Sequence, residues 1–205
     1  MDVKLLYYTP LAICVTGIRT CWNSHNKSDN GGTKDLDLID RVGNKNKHKS
    51  VLEHIVYNFH VSKISRACLM QITRHRMASY SVKSTRYTLK ELKSLNPTEI
   101  DYKDYVYLTG NPLVDNQTKV AFKNTIELVK QGLSNDEVKY SLPEAFFTEF
   151  SWTINARSLQ NFLRLRTSKS AMKEIREFAF AVYDSLPIPH KYIYQGELNE
   201  KNESI

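Results

Sequence analysis

FFTEFSWTINARSLQNFLRLR, residues 146–166, contains the change of period on which the fold turns. Phe146 to Ile154 is aromatic and β-branched, the composition of a strand. Asn155 then offers a side-chain oxygen that can cap a helix, and ARSLQNFLRLR follows with helical apolar spacing. Leu159, Phe162 and Leu163 stand seven, four and three positions before Arg166, so this arginine projects from the apolar stripe. Arg157, Asn161 and Arg164 cluster on another face. A guanidinium on a buried stripe is costly unless paired, and no acid stands three or four positions before Arg166. Its partner is a ligand, or else the side chain snorkels to water or to the last helix carbonyls.

A second cationic stretch, RHRMASYSVKSTRY at residues 74–87, sets Arg74, His75, Arg76, Lys83 and Arg86 among three serines with no acid between them. Guanidinium forks match phosphate oxygens two at a time, and hydroxyls take the remaining lone pairs, so the composition suits a phosphorylated ligand. From Lys63 to Lys93 there are eight Lys and Arg against one acid, Glu91, a surplus of seven that equals the net charge of the whole chain. Positive charge is therefore concentrated in one segment. Its bland alternatives are a solvated face or a loose nucleic-acid patch, with Tyr80 and Tyr87 available for stacking.

The length of 205 residues suffices for one sizeable core, and 41% hydrophobic with 25% charged residues describes an ordinary soluble globular chain. No apolar run approaches the roughly 18 residues of a membrane span. MDVKLLYYTP lacks the basic and apolar regions of a signal peptide, which makes the cytoplasm the default location. Cys14, Cys21 and Cys68 fit no zinc spacing and read as reduced, mostly buried thiols, with no disulfide and no metal expected.

In chain order, VKLLYY (residues 3–8) predicts a strand and LAICVTGIRTCW a helix, followed by a polar loop from Asn23 to Thr33. KDLDLIDRVGN predicts a second helix, and the alternation of Ile55, Tyr57, Phe59 and Val61 a strand. Ser65 is placed to cap a helix reaching about His75, with Gln71 and Arg74 on one face. That helix delivers Arg74, His75 and Arg76 into a Ser-rich loop, and Arg86 to Leu89 reads as a strand leaving it. Residues 90–111 carry no clear period, whereas VDNQTKVAFKNTIELVKQG is an amphipathic helix ended by Gly132. A polar tail follows from about residue 190, and no linker or internal repeat divides residues 1–205.

IRTCW, HKSVLEH, QITRHR, SVKSTRY and NARSLQNFLRLR occur in one order that resembles the flavin-dependent thymidylate synthases, from about Tyr8 to Tyr183. The resemblance implies an α+β single domain, a small mixed or antiparallel sheet flanked by helices, assembling as a homotetramer. It implies FAD and dUMP at subunit interfaces, with 5,10-methylenetetrahydrofolate as carbon donor, NADPH as reductant and dTMP as product. No nucleic acid or membrane partner is implied. Carried over by motif, Gln71, Arg74, Ser84, Thr85, Arg86 and Lys139 bind dUMP. His48, Ser50, Arg74, His75, Arg76, Val82, Asn155, Ala156, Arg157 and Asn161 contact FAD, and Arg166 activates the uracil ring. Two positions depart from the family pattern: Val82 stands where many members have Glu, and Lys139 where many have Arg.

Overall fold

The computed structural model of the chain describes residues 1–199. Four strands, β1 (Asp2–Tyr8), β2 (Val56–Ser65), β3 (Ala78–Val82) and β4 (Phe147–Asn155), form one sheet in the order β1-β2-β4-β3. Its strands are antiparallel. Thr9 N bonds Val56 O, Ala156 N bonds Ile55 O, Arg66 N bonds Phe146 O and Lys83 N bonds Glu149 O, each pairing the end of one strand with the beginning of its neighbour. This is the α+β architecture expected, with an antiparallel sheet.

The helices are α1 (Leu11–Cys21), α2 (Thr33–Ile39), α3 (Arg66–Ile72), α4 (Thr85–Thr88), α5 (Pro112–Lys130), α6 (Asn135–Val138), α7 (Ala156–Arg166), α8 (Lys173–Ser185) and α9 (Ile188–Lys191). None of them is long and apolar enough to cross a membrane. Expected caps are present: Ser65 accepts from Cys68 N at 2.9 Å and Asn155 from Ser158 N at 2.9 Å. Gly132 lies at φ +83° just beyond α5, a left-handed position that glycine adopts without Cβ strain.

Three expectations need correction. Helix α3 stops at Ile72 rather than near His75, and Arg74 lies beyond its cap, Thr73. The run expected as a Ser-rich loop is largely β3, while Arg86 to Thr88 belong to α4 and Leu89 begins a 3-10 turn. Small hydroxyl residues tolerate both states, so pairing of Lys83 with β4 decided the matter. Finally, the chain beyond 190 is not a loose polar tail as far as it is described: His190, Ile193 and Tyr194 are buried. Residues 200–205 lie outside the described residues.

By their contacts the residues form two compact units. Unit 1 comprises Met1–Asp2, Val61–Thr73 and Ser81–Phe150. Its core joins Leu89, Leu92, Val106, Phe122, Ile126, Val129 and Val138, with Tyr105 stacked on Phe122 at 5.6 Å. Unit 2 comprises Val3–His60, Arg74–Tyr80 and the chain from Ser151 onward. Trp152 is the centre of its core, within 5.2–5.9 Å of the rings of Phe59, Phe162 and Phe178. Such aromatic clusters bury large areas and fix helix orientation, here that of α7 and α8 on the sheet.

Candidate active site

In unit 2, the chain after α3 and the outer face of α7 enclose a cleft of about 830 Å³. Arg74, His75, Arg76 and Met77 line one side, and Asn155, Arg157, Ser158, Asn161, Arg164, Leu165 and Arg166 the other. Lys49 and Glu53 complete it from the 3-10 helix Lys49–His54. Local sequence explains the α7 side. The Asn155 cap starts the helix, Leu159, Phe162 and Leu163 are fully buried, and Arg157, Asn161 and Arg164 are left exposed.

Arg166 resolves the question its wheel position posed. Its Nε donates to Nε2 of His75 at 3.0 Å, so part of the pairing comes from within the chain. Nε2 can accept only if the ring proton is on Nδ1 and the imidazole is neutral. Burial, and then the positive charge of Arg166, push His75 down to about 4, which keeps it neutral. The ring sits edge-on to Phe162 at 4.9 Å, and the His75 carbonyl accepts from Tyr80 Oη at 2.8 Å. Burial raises that phenol to about 12, so it stays a donor.

Several cleft cations are held by acids. Arg157 Nη1 lies 2.7 Å from Glu53 Oε1, and Lys49 Nζ lies 2.6 Å from Glu197 Oε1. Arg164 Nη2 donates to Asn161 Oδ1 at 3.0 Å, which fixes two polar side chains on one turn. His48 and Ser50 are exposed on either side of Lys49. Ala156 is buried at the first position of α7.

The remaining sequence candidates belong to unit 1. Arg86 Nε and Lys139 Nζ approach opposite oxygens of Asp136, at 3.3 and 3.2 Å. Asn135 Nδ2 donates to the Arg86 carbonyl at 2.7 Å. Ser84 precedes α4, where its carbonyl accepts from the amides of Tyr87 and Thr88, and Thr85 opens the helix. Gln71 is half-buried on α3 and Val82 is exposed at the end of β3. The sequence placed Arg164 on the face of Arg157 and Asn161 but gave it no candidate role, nor any to Lys49, Glu53, Asp136 and Glu197. Glu53 and Lys49 stood inside HKSVLEH, and Arg164 inside the α7 stretch; Asp136 stood three positions before Lys139, but nothing local marked it as a partner of Arg86, or Glu197 as a partner of Lys49.

Comparison with known proteins adds four findings. The family model described as "Thymidylate synthase complementing protein" matches residues 4–187. A flavin-dependent thymidylate synthase of Wolinella succinogenes is 53% identical over 198 residues, 95% of this chain and 97% of that protein. One from Campylobacter jejuni is 50% identical over 207 residues, 99% of this chain and all of the other. Among solved structures, thymidylate synthase X from Helicobacter pylori with FAD and dUMP superimposes with a TM-score of 0.94 at 42% identity, covering 98% of this chain and 100% of that one. Because half its residues are shared along essentially the full length of such relatives, the chain belongs to the family of flavin-dependent thymidylate synthases.

Proposed function

We propose that this protein is an FAD-dependent thymidylate synthase that converts dUMP to dTMP by reductive methylation. Its carbon donor would be 5,10-methylenetetrahydrofolate and its reductant NADPH. The observation that carries the proposal is that Arg74 and Arg166, from two separate arginine-rich signatures, line one cleft. Relatives of nearly identical length share the activity in their names, and the Helicobacter pylori structure is described with FAD and dUMP.

The donor set of the cleft fits a dinucleotide. Lys49, Arg74, Arg76, Arg157, Arg164 and Arg166 face it with, among the described residues, a single lining carboxylate, Glu53, and guanidinium forks suit pyrophosphate oxygens. Arg74, His75, Arg76, Asn155, Ala156, Arg157 and Asn161 would hold FAD, with His48, Ser50 and Val82 as further contacts. When bound and reduced by NADPH, FAD would supply the hydride.

Adding a one-carbon unit at C5 of uracil requires electron density there, and negative charge develops on the adjacent carbonyl edge. The Arg166 guanidinium stays protonated and stabilises that charge electrostatically. His75, being neutral, fixes the plane of the guanidinium through Nε without adding a second positive charge. Gln71, Arg74, Ser84, Thr85, Arg86 and Lys139 would hold dUMP, the last two steadied by Asp136. Ser84 is assigned to binding rather than to nucleophilic attack.

We further infer one domain per protomer and a homotetramer with FAD and dUMP at subunit interfaces. The exposed Trp22, Leu113, Tyr140 and Ile188 support burial of additional apolar surface. Small soluble substrates support a cytoplasmic location. Anaerobic assay of dTMP formation from dUMP, methylenetetrahydrofolate and NADPH, with and without added FAD, tests the proposal. Product that requires FAD is expected; no product from yellow, FAD-loaded protein would overturn it.

A further inference from the structure

Helix α7 ends on Arg166, and its last carbonyls have no partners within the helix. Many helices close this gap with a glycine in the left-handed conformation just past the cap. Here Thr167 and Ser168 follow instead. Closure comes from a distant segment. Asn199 Nδ2 donates to the Arg164 carbonyl and to Thr167 Oγ1, both at 3.0 Å, and the Asn199 amide donates to Thr167 Oγ1 at 3.0 Å. Thr167 is fully buried, and its hydroxyl donates to the Leu163 carbonyl at 2.7 Å.

Two residues earlier, Glu197 reaches the same turn. Its Oε1 lies 2.6 Å from Lys49 Nζ and its Oε2 3.8 Å from Arg164 Nε, with the acid's side chain only 16% exposed. Lys49 and Arg164 both line the cleft, whereas Glu197 is not among its lining residues. One carboxylate thus ties the 3-10 helix Lys49–His54 to the final turn of α7. A loose last turn would splay Arg166 from His75, since Arg166 is the terminal helical residue.

We propose that Glu197 and Asn199 are positioning residues for this enzyme, a C-terminal strap that closes the end of α7 and thereby aims Arg166 into the cleft. The role of Arg166 in turnover rests on the function proposed above; the strap's hold on Arg166 does not. Pre-organisation of a catalytic guanidinium requires such support, because a small misplacement of the charge forfeits much of its effect.

The test uses full-length, FAD-loaded protein carrying Glu197→Gln or Asn199→Ala, with Arg166→Ala as reference. Histidine-selective ¹⁵N NMR without substrate reads the Arg166 to His75 bond directly. In Asn199→Ala the His75 Nε2 resonance should move most of the way to its position in Arg166→Ala, and in Glu197→Gln part of the way. Turnover should fall by about tenfold while KM for dUMP changes less, and the thermal midpoint should stay within about 3 °C of wild type, as expected when orientation rather than folding is lost. An unmoved His75 signal would overturn the strap, as would kcat unchanged in both variants when the wild type forms dTMP. So would a collapse of the thermal midpoint in both variants, which would make the segment generally structural. A wild type that forms no dTMP would count against the proposed function, while the NMR result would still decide the strap.

Discussion

Arg166 and His75, ninety-one positions apart in sequence, meet through one hydrogen bond of 3.0 Å from guanidinium Nε to imidazole Nε2. The bond joins the two signature segments and sets the protonation state of the histidine, since only the neutral ring can accept it. Arg166→Ala is expected to lower kcat by roughly 10²- to 10³-fold, the range found when one preorganised electrostatic stabiliser is removed. FAD content, read from absorbance, and circular dichroism should be unchanged. Turnover near the wild-type rate would remove Arg166 from the chemistry.

Acid should destabilise the protein through its buried imidazoles. Burial pushes His190 down to about 4, and Tyr57 Oη lies 2.8 Å from its Nδ1 while accepting from Tyr194 Oη at 3.0 Å. His75 is also lowered to about 4. Below the unfolded value near 6.5 the unfolded chain binds protons that these folded histidines refuse. Their stabilisation is therefore complete above about pH 6.5 and is lost as pH falls towards 4, amounting to about 3 kcal/mol for the more deeply buried His190. Thermal midpoints measured at pH 7 and pH 5 should differ less in His190→Gln than in wild type, and an equal difference would exclude His190 as a contributor.

Asp35 should be among the costliest single residues to remove. It is almost fully buried and pairs with Arg19, whose Nε lies 3.1 Å from Oδ1, while its Oδ2 accepts from Ser28 Oγ at 2.6 Å and Gly31 N at 2.9 Å. Arg19 also donates to the carbonyls of Ser24 and Lys27, each at 3.1 Å, so one ion pair pins the polar loop that follows α1. Asp35→Ala leaves a buried guanidinium unpaired and should cost about 3–5 kcal/mol. Urea denaturation measures the loss, and limited proteolysis should show first cuts between Asn23 and Gly32.

Lys139→Ala should separate substrate from cofactor binding. Lys139 and Arg86 flank Asp136 in unit 1 and are not among the residues that line the Arg74 cleft of unit 2. If Lys139 holds the dUMP phosphate as proposed, its loss should raise the dUMP dissociation constant by about tenfold, in the range of a charge-assisted hydrogen bond. FAD affinity, measured by flavin fluorescence, should change less than twofold. Equal weakening of both ligands would contradict the assignment of Lys139 to dUMP.

Local pattern alone carried most of the secondary structure. The Asn155 cap, the alternation in β2 and the long amphipathic α5 follow from side-chain period and capping chemistry, which are short-range and need no partner. The segment from Ala78 to Leu89 did not, because serine and threonine fit strand, turn or helix, and the bond from Lys83 N to Glu149 O settled it from a strand distant in sequence. The site divides likewise. Composition marked Arg74, His75 and Arg76 as anion-binding candidates, and helical position marked Arg166, since a cation without a nearby acid is costly wherever ligand or solvent does not answer it. Asp136 and Lys139 stand only three positions apart, but only tertiary structure brought Arg86 to Asp136, and Glu197 and Asn199 to the end of α7. Such pairings depend on through-space distance between remote residues, a quantity on which neither hydrophobic period nor local composition bears.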